Sequence, residues 1–416
     1  MSVLLPTKPL IMRTLLLAIS LWLLSTTSQA QSTDSTLEVV CWNIEWFGSA
    51  NNGPSQKDQQ EANVAKILKW MNADLYGLVE IVDTMRFRRV VDSMGRDVFD
   101  YVISPYCTQA TQPSGNAWLT GQKLAFIYRK SIFSNVSARG LMRNSATANT
   151  NWASGRFPFM LSAKVTIKGV SKDMQFIVIH GKAGSTETDH NRRIGGAMEL
   201  KDTLDRYYPT ASTFLIGDFN DALNAPIYAG ASTSSYLSFV IDSTDADHYK
   251  SITLPLGVAG QTTMVNFPNV IDNHVISNEV APMYIVGSAR VVTDVTSVVT
   301  DFVTARQTSD HYPVLSRYNL NGHVVTSLPY ISPVAAGIHL WPNPARQEAS
   351  LRFDKAQRSL QLELYDGAGQ RVWHATLSMV QPGQLIQVPV IGLSSGLYYL
   401  SIQTPTYRSH QRLIVQ

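Results

Sequence analysis

Acids, amides and histidines recur in this chain where apolar runs end. In order they are Asn43 and Glu45 in Trp-Asn-Ile-Glu-Trp-Phe, Glu80 in Leu-Tyr-Gly-Leu-Val-Glu-Ile, His180 after Phe-Ile-Val-Ile, Asp218 and Asn220 in Ile-Gly-Asp-Phe-Asn, Asp272 in Val-Ile-Asp-Asn-His, and Asp310 with His311 in Ser-Asp-His-Tyr-Pro-Val. Carboxylates mixed with amide oxygens suit a hard divalent cation such as magnesium, calcium or manganese, whereas thiolates or several imidazoles would suit zinc. Histidines beside such a group supply proton transfer. The combination points to phosphate chemistry. Taken singly, each cluster has an ordinary explanation: Asp-x-Asn after a strand makes a turn or a helix cap, and a lone histidine is a structural one. The weight lies in the recurrence at strand ends, from which several strands can aim side chains into one cleft. Asn43 and Glu45 are two apart, as are Asp218 and Asn220, so strand geometry that persisted through them would aim each pair at one face.

The elements that must position these residues read as a mixed α/β domain from Leu37 to about Tyr318. Leu37–Trp42, Phe176–Ile179 and Phe214–Ile216 are rich in β-branched and aromatic residues, as interior strands are. Val64, Ile67, Leu68 and Met71 recur at helical spacing, and so do Ala197, Leu200 and Leu204. The chain has 416 residues, 44% of them hydrophobic and 16% charged, which is too long for one small domain and ample for a large core. A net charge of +3 permits a polyanionic partner but falls short of the dense basic patch that would argue for nucleic acid unaided. Two cysteines, Cys41 and Cys107, make no disulfide framework, and Cys41 lies in an apolar strand pattern.

Taken together, the Trp-Asn-Ile-Glu, Gly-Leu-Val-Glu, Gly-Asp-Phe-Asn, Ile-Asp-Asn-His and Ser-Asp-His motifs, with the strand ending at His180, resemble the endonuclease/exonuclease/phosphatase superfamily, the DNase I-like proteins. The resemblance implies a four-layer α/β sandwich, two packed mixed β-sheets flanked by helices, with the active site at one end of the paired sheets. It implies that Glu80 is the principal metal ligand, supported by Asn43 and Asp310. It implies further that His311, oriented by Asp272, is the general base, that His180 binds the phosphate or protonates the leaving oxygen, and that Asp218 and Asn220 position the nucleophile and the phosphate. Arg156, in Gly-Arg-Phe-Pro, resembles an arginine that contacts phosphate, and Tyr106 is a further candidate for the cleft. Two departures stand out. Gln122 stands where an acid orients the first histidine in the vertebrate deoxyribonucleases, and His274 replaces an apolar residue, either to line the cleft two residues from Asp272 or, the favoured expectation, to face solvent. The implied activity is metal-dependent endonucleolytic hydrolysis of DNA, with RNA second, with little sequence preference and with magnesium the first expectation. Sphingomyelinases and phosphoinositide phosphatases share such constellations, so another phosphate ester is the alternative substrate.

The ends of the chain speak to export. Arg13, the apolar stretch Leu15–Leu24 and the small residues before Gln31 read as a signal peptide over residues 1–30, leaving no stable membrane insertion after its removal. The catalytic domain is expected over 31–318 and a linker over 319–337. Short alternating runs over 338–416 read as a small antiparallel, immunoglobulin-like β-sandwich without a cluster of acids and histidines. Trp341-Pro342-Asn343-Pro344, Gly396-Leu397-Tyr398-Tyr399 and the closing Arg412–Val415 resemble the type A sorting domain of type IX secretion, which implies that machinery as a partner and a secreted or cell-surface location.

Overall fold

The computed structural model describes residues 36–109, 115–240, 248–322, 333, 337–366, 370–404 and 408–416. The leader read over 1–30 and most of the linker read over 319–337 lie outside them. The chain divides into two units, Met1–His323 and Val324–Gln416.

The strands of the first unit are β1 (Leu37–Phe47), β2 (Leu75–Ile81), β3 (Phe99–Cys107), β4 (Lys123–Arg129), β5 (Phe133–Gly140), β6 (Phe159–Ile167), β7 (Val170–His180), β8 (Ser212–Asp218), β9 (Tyr249–Ser251), β10 (Asp272–Ser277), β11 (Arg290–Val291) and β12 (Val314–Tyr318). They form two six-stranded sheets, ordered β11-β12-β1-β2-β4-β3 and β5-β6-β7-β8-β10-β9. Each sheet has a parallel pair at its centre, β1 with β2 and β7 with β8. A parallel neighbour needs a crossover, and the crossovers are the two helices read from the periodicity, α1 (Lys57–Met71) between β1 and β2 and, beyond α2 (Thr84–Met94), α3 (Glu187–Tyr207) between β7 and β8. Asp83 caps α2 through the amides of Met85 and Arg86, and Thr186 with Asp189 forms a capping box on α3.

Strand β1 explains the layering. Val39 and Cys41 face one core, Val40 and Trp42 another. The first core lies between the sheets, where Val79, Phe126, Phe159, Phe176 and Phe214 join it. The second holds Val64, Ile67, Leu68 and Met71 of α1 with Phe87 and Val90 of α2. A third packs Ala197, Leu200 and Leu204 of α3 on the outer side of β6, β7 and β8. The result is four layers, helix on sheet on sheet on helix, and a strand apolar on both faces is what a central layer demands. Phe126 of one sheet stacks at 5.9 Å on Phe159 of the other, and Phe176 stacks on Phe214 at 4.5 Å. Each such ring contributes about 1.5–3 kcal/mol by burial. At Gly77 the sheets come so close that a Cβ would stand 2.7 Å from Ile216 Cδ1. This packing brings the ends of β1, β2, β7, β8 and β10 to one edge of the sandwich.

The second unit holds β13 (Ile338–Trp341), β14 (Glu348–Phe353), β15 (Gln357–Tyr365), β16 (Arg371–Val380), β17 (Leu385–Pro389), β18 (Gly396–Gln403) and β19 (Arg408–Val415). They make antiparallel sheets β13-β14-β17 and β16-β15-β18-β19 around a core that includes Leu351, Leu362, Val388 and Leu413. The strand at Ile338–Trp341 is absent from the alternation pattern because it is short and stops at Pro342.

Candidate active site

The backbone leaves strand geometry twice by the same device, at an irregularity within β1 after Asn43 and at the end of β8. Asn43 Oδ1 accepts the Glu45 amide at 2.9 Å, and Asp218 Oδ1 accepts the Asn220 amide at 2.8 Å. Glu45, Trp46 and Asn220 then take φ of 44°, 46° and 50°. Left-handed backbone ends the alternation, so neither pair keeps the one-face arrangement that strand spacing predicts. Glu80 is left-handed as well, at 68°. Strain of this kind persists only where surroundings enforce it.

The enforcing contacts join the sheets. Asn43 Nδ2 donates to Glu80 Oε1 at 3.1 Å and to Asp218 Oδ2 at 2.9 Å, while the Trp46 amide donates to Glu80 Oε2 at 2.7 Å. His180 Nε2 stands 3.6 Å from Glu80 Oε1 and 3.5 Å from Asp218 Oδ2. His311 Nδ1 lies 2.7 Å from Asp272 Oδ2, and Asp310 Oδ1 is 3.8 Å from His311 Nε2. Ser309 Oγ donates to the Asn43 carbonyl and accepts the His311 amide, and Trp42 Nε1 donates to the His311 carbonyl. Asn220 Nδ2 reaches Asp218 Oδ2 and the Gly181 carbonyl. Asn43, Glu80, His180, Asp218, Asn220, Asp272, Asp310 and His311 are thus one neighbourhood, all but Asn220 and Asp310 buried.

Its electrostatics are those of crowded acids. Burial pushes the Glu80 carboxyl up against the donors that favour its charge; burial and then Asp272 push Asp218 up. Burial and then Asp310 raise Glu45 to about 7. Burial, with Arg156 next, holds the His180 imidazole well below its usual range, so it is neutral. Burial opposes protonation of His311 too, but Asp272, Asp218 and Asp310 outweigh it and hold it well above. Glu45 Oε2 and Asp272 Oδ1 are buried without a hydrogen-bond partner among the described residues. Converging carboxylates that resist ionisation, with acceptor oxygens unused, fit a hard divalent cation. Ligand atoms of Asp218, Asp272 and His311 also lie within 4.8 Å of one another. There the His311–Asp272 bond already engages Nδ1, which argues for an acid–base pair at those residues and for cation binding nearer Glu80.

Several expectations need correction. Arg156 is buried, and its guanidinium donates to the His180 and Gly181 carbonyls and to Gln122 Oε1. Three of its five N–H groups thus hold Gln122 and the chain at the end of β7. Gln122 therefore faces Arg156, and His180 Nδ1 has no partner among the described residues. His274 is buried, neither solvent-facing nor in the cleft: its Nδ1 meets Ser316 Oγ at 2.7 Å between the sheets, and Ser316 in turn meets the Tyr318 hydroxyl at 2.8 Å. Tyr106 packs edge-on against Phe157, accepts from Arg143 and lines a pocket with Leu141 and Tyr208. Cys41 and Cys107 are both free and buried. Thr263 was missed: its Oγ1 accepts the amides of Ile271 and Asp272, and it lies in a stretch with no pattern.

In the second unit, residues from both ends of the unit meet. Asn343 Nδ2 donates to the Arg412 carbonyl at 2.7 Å, and the Ile414 amide donates to Asn343 Oδ1 at 2.9 Å, so the Trp-Pro-Asn-Pro motif anchors the closing strand. Residues 339–416 match the secretion system C-terminal sorting domain. A sorting domain implies handling by a secretion system and export, and no helix among the described residues is long and apolar enough to cross a membrane. The sorting domain does carry one acid–histidine contact the sequence did not suggest, an exposed His339 Nε2 3.0 Å from Asp354. No curated protein matches the chain. Similar solved structures include an endonuclease/exonuclease/phosphatase from Beutenbergia cavernae (15% identity, TM-score 0.48, covering 91% of this chain and 100% of that one). The catalytic domain of human Nocturnin with bound sulfate has 14% identity and TM-score 0.47, covering 68% and 94%. A mannosyl-6-phosphatase of Bacteroides thetaiotaomicron has 14% identity and TM-score 0.42, covering 67% and 98%.

Proposed function

We propose that the first unit is a metal-dependent phosphodiesterase, exported with the sorting domain, and that its substrate is DNA or RNA cleaved with little sequence preference. The observation that carries the reading is the buried His311–Asp272 pair, 2.7 Å apart, facing a cluster of carboxylates from both sheets. Glu80, with Asn43 and Asp310 beside it, would hold the cation, magnesium being the best match to an all-oxygen donor set. Bound there, it would polarise a phosphoryl oxygen and offset the charge that builds on it.

This chain's own residues do the rest. Asp272 accepts the Nδ1 proton of His311 and holds the ring so that Nε2 meets the reacting water: in its neutral form the ring takes a proton there, and in the protonated form that the neighbouring carboxylates favour it can return one to the leaving oxygen. His180, held neutral by burial, offers Nε2 to a phosphate oxygen or to the leaving group. Asp218 and Asn220, joined by the turn that ends β8, fix the water and the phosphate between the two histidines. Ser309 ties the His311 loop to the Asn43 carbonyl, so the base and the cation ligands share one backbone support. Arg156 supports His180 from behind through its carbonyl.

The test is cleavage of plasmid DNA by the full-length protein with magnesium, with calcium added and with chelator, alongside sphingomyelin and a simple phosphomonoester. Nicking that chelator abolishes, and that His311→Ala abolishes in a folded protein, supports the reading. Inert DNA with turnover of another ester moves the substrate; no turnover of any ester sinks the catalytic reading.

A further inference from the structure

A pocket of about 420 Å³ opens beside these residues, and its wall includes Trp46, Gln109, Gln122, Arg156, Lys182 and Arg192. It adjoins the catalytic neighbourhood through three of them: the Trp46 amide holds Glu80, Arg156 holds the His180 carbonyl, and Lys182 follows His180 by two residues. Its polar groups are amides, hydroxyls and cations, and among the described residues no carboxylate lines it.

The three cations are not equivalent. Arg156 commits three of its five N–H groups to carbonyls and Gln122, and its charge is offset by Glu80 and Asp218. Lys182 is paired with Asp189 at 2.7 Å. Arg192, on the second turn of α3, donates through Nε and Nη2 to the Thr150 carbonyl, a neutral partner. Among the described residues no carboxylate lies within ion-pair distance of it, and Nη1 is not used. Its guanidinium is therefore oriented by one contact and left with an uncompensated charge on the pocket wall, which is the condition for taking an anion.

We propose that this pocket is a subsite for a second phosphate of the substrate, adjoining the one that is hydrolysed, with Arg192 as the residue that takes it. The inference rests on the phosphodiesterase reading and narrows it. A quaternary ammonium such as choline would meet cations where it needs an aromatic cage, and among the described residues Trp46 is the one aromatic ring in the wall. Adjoining phosphates occur in a nucleic-acid strand and in a polyphosphorylated inositol headgroup, which share the chemistry the pocket reads.

The experiment compares wild type, Arg192→Ala and Arg192→Lys, all full length, on bis(4-nitrophenyl) phosphate, on a DNA oligonucleotide and on a short-chain soluble phosphoinositide. For whichever natural substrate is turned over, Arg192→Ala should lower its kcat/KM relative to that of the single-phosphate diester by about tenfold, mostly through KM, and Arg192→Lys should recover most of it. The thermal midpoint of each variant separates this from loss of the Thr150 contact, which would lower all substrates alike. Equilibrium binding of the oligonucleotide and of the phosphoinositide in chelator is the second arm. Arg192→Ala should weaken one of them about tenfold and, for a single strand, flatten the salt dependence by about 0.7 in log–log slope. An unchanged ratio and unchanged binding overturn the subsite. Failure of the wild type to hydrolyse any ester overturns the catalytic reading, while the binding arm still decides the pocket.

Discussion

Asp272→Asn is the substitution whose consequence can be worked furthest. The Asp272 carboxylate and the His311 ring are both buried, and the bond between them is 2.7 Å. A charge-assisted bond of this kind contributes about 1.5–3 kcal/mol. A carboxamide keeps the shape but can turn its N–H toward Nδ1, which puts the imidazole proton on Nε2 and removes the lone pair aimed at water. It also removes the charge that stabilises the imidazolium formed as the proton arrives. General-base catalysis is worth about 10²- to 10⁴-fold, so kcat should fall by that amount, about 3–5 kcal/mol in activation free energy. KM should change little, because Asp272 sits behind His311. The assay is hydrolysis of bis(4-nitrophenyl) phosphate at saturating magnesium, with circular dichroism to show the variant folded. Because the two residues act as a unit, Asp272→Asn combined with His311→Ala should be no worse than His311→Ala alone. A folded Asp272→Asn enzyme within about fivefold of wild type in kcat, or additive losses in the double variant, would refute the reasoning.

Glu80→Gln should raise the magnesium concentration for half-maximal activity by more than about tenfold, since a neutral amide is a weaker ligand for a hard cation; titration calorimetry giving an unchanged affinity would place the cation elsewhere. Burial holds the His274 imidazole down to about 3. Between that value and 6.5 the unfolded chain binds a proton the folded chain refuses, so this contribution is complete above about pH 6.5 and is lost as pH falls, about 3 kcal/mol by pH 4. His274→Leu should lessen the fall in unfolding free energy over that window, and parallel curves for the two proteins would show the ring is not the source. Gly77→Ala should cost about 1–3 kcal/mol by overpacking against Ile216, and Ile216→Val, which removes the clashing Cδ1, should recover part of it in the double variant; additive losses in denaturant unfolding would count against a direct clash.

Much of the site was legible because side chains at the ends of buried strands have few directions to point. Asn43, Glu80, His180, Asp218 and Asp272 each follow an apolar run, and packing two sheets brings those ends together. The helices were legible for the same reason: Val64, Ile67, Leu68 and Met71 have one face to bury. What spacing does not encode is where the backbone stops being a strand. Glu45 and Asn220 leave the faces expected of them because the preceding Asn and Asp oxygens capture their amides. Nor does spacing name distant partners. Arg156 and His274 went to the carbonyls of His180 and Gly181 and to Ser316, contacts that only the assembled sandwich creates. Thr263 had no local signal at all.

The strand order has a temporal consequence for a chain made from its N-terminus. The first sheet begins with β1 and is completed only by β11 and β12, while the whole second sheet lies between them in sequence. Asn43 and Glu80 therefore wait for Asp310 and His311, which arrive last. No fragment that emerges early carries the full set, and neither sheet by itself carries it either. Whatever chemistry the proposed site performs, its residues cannot come together until nearly all of the first unit has been synthesised and both sheets have closed on each other.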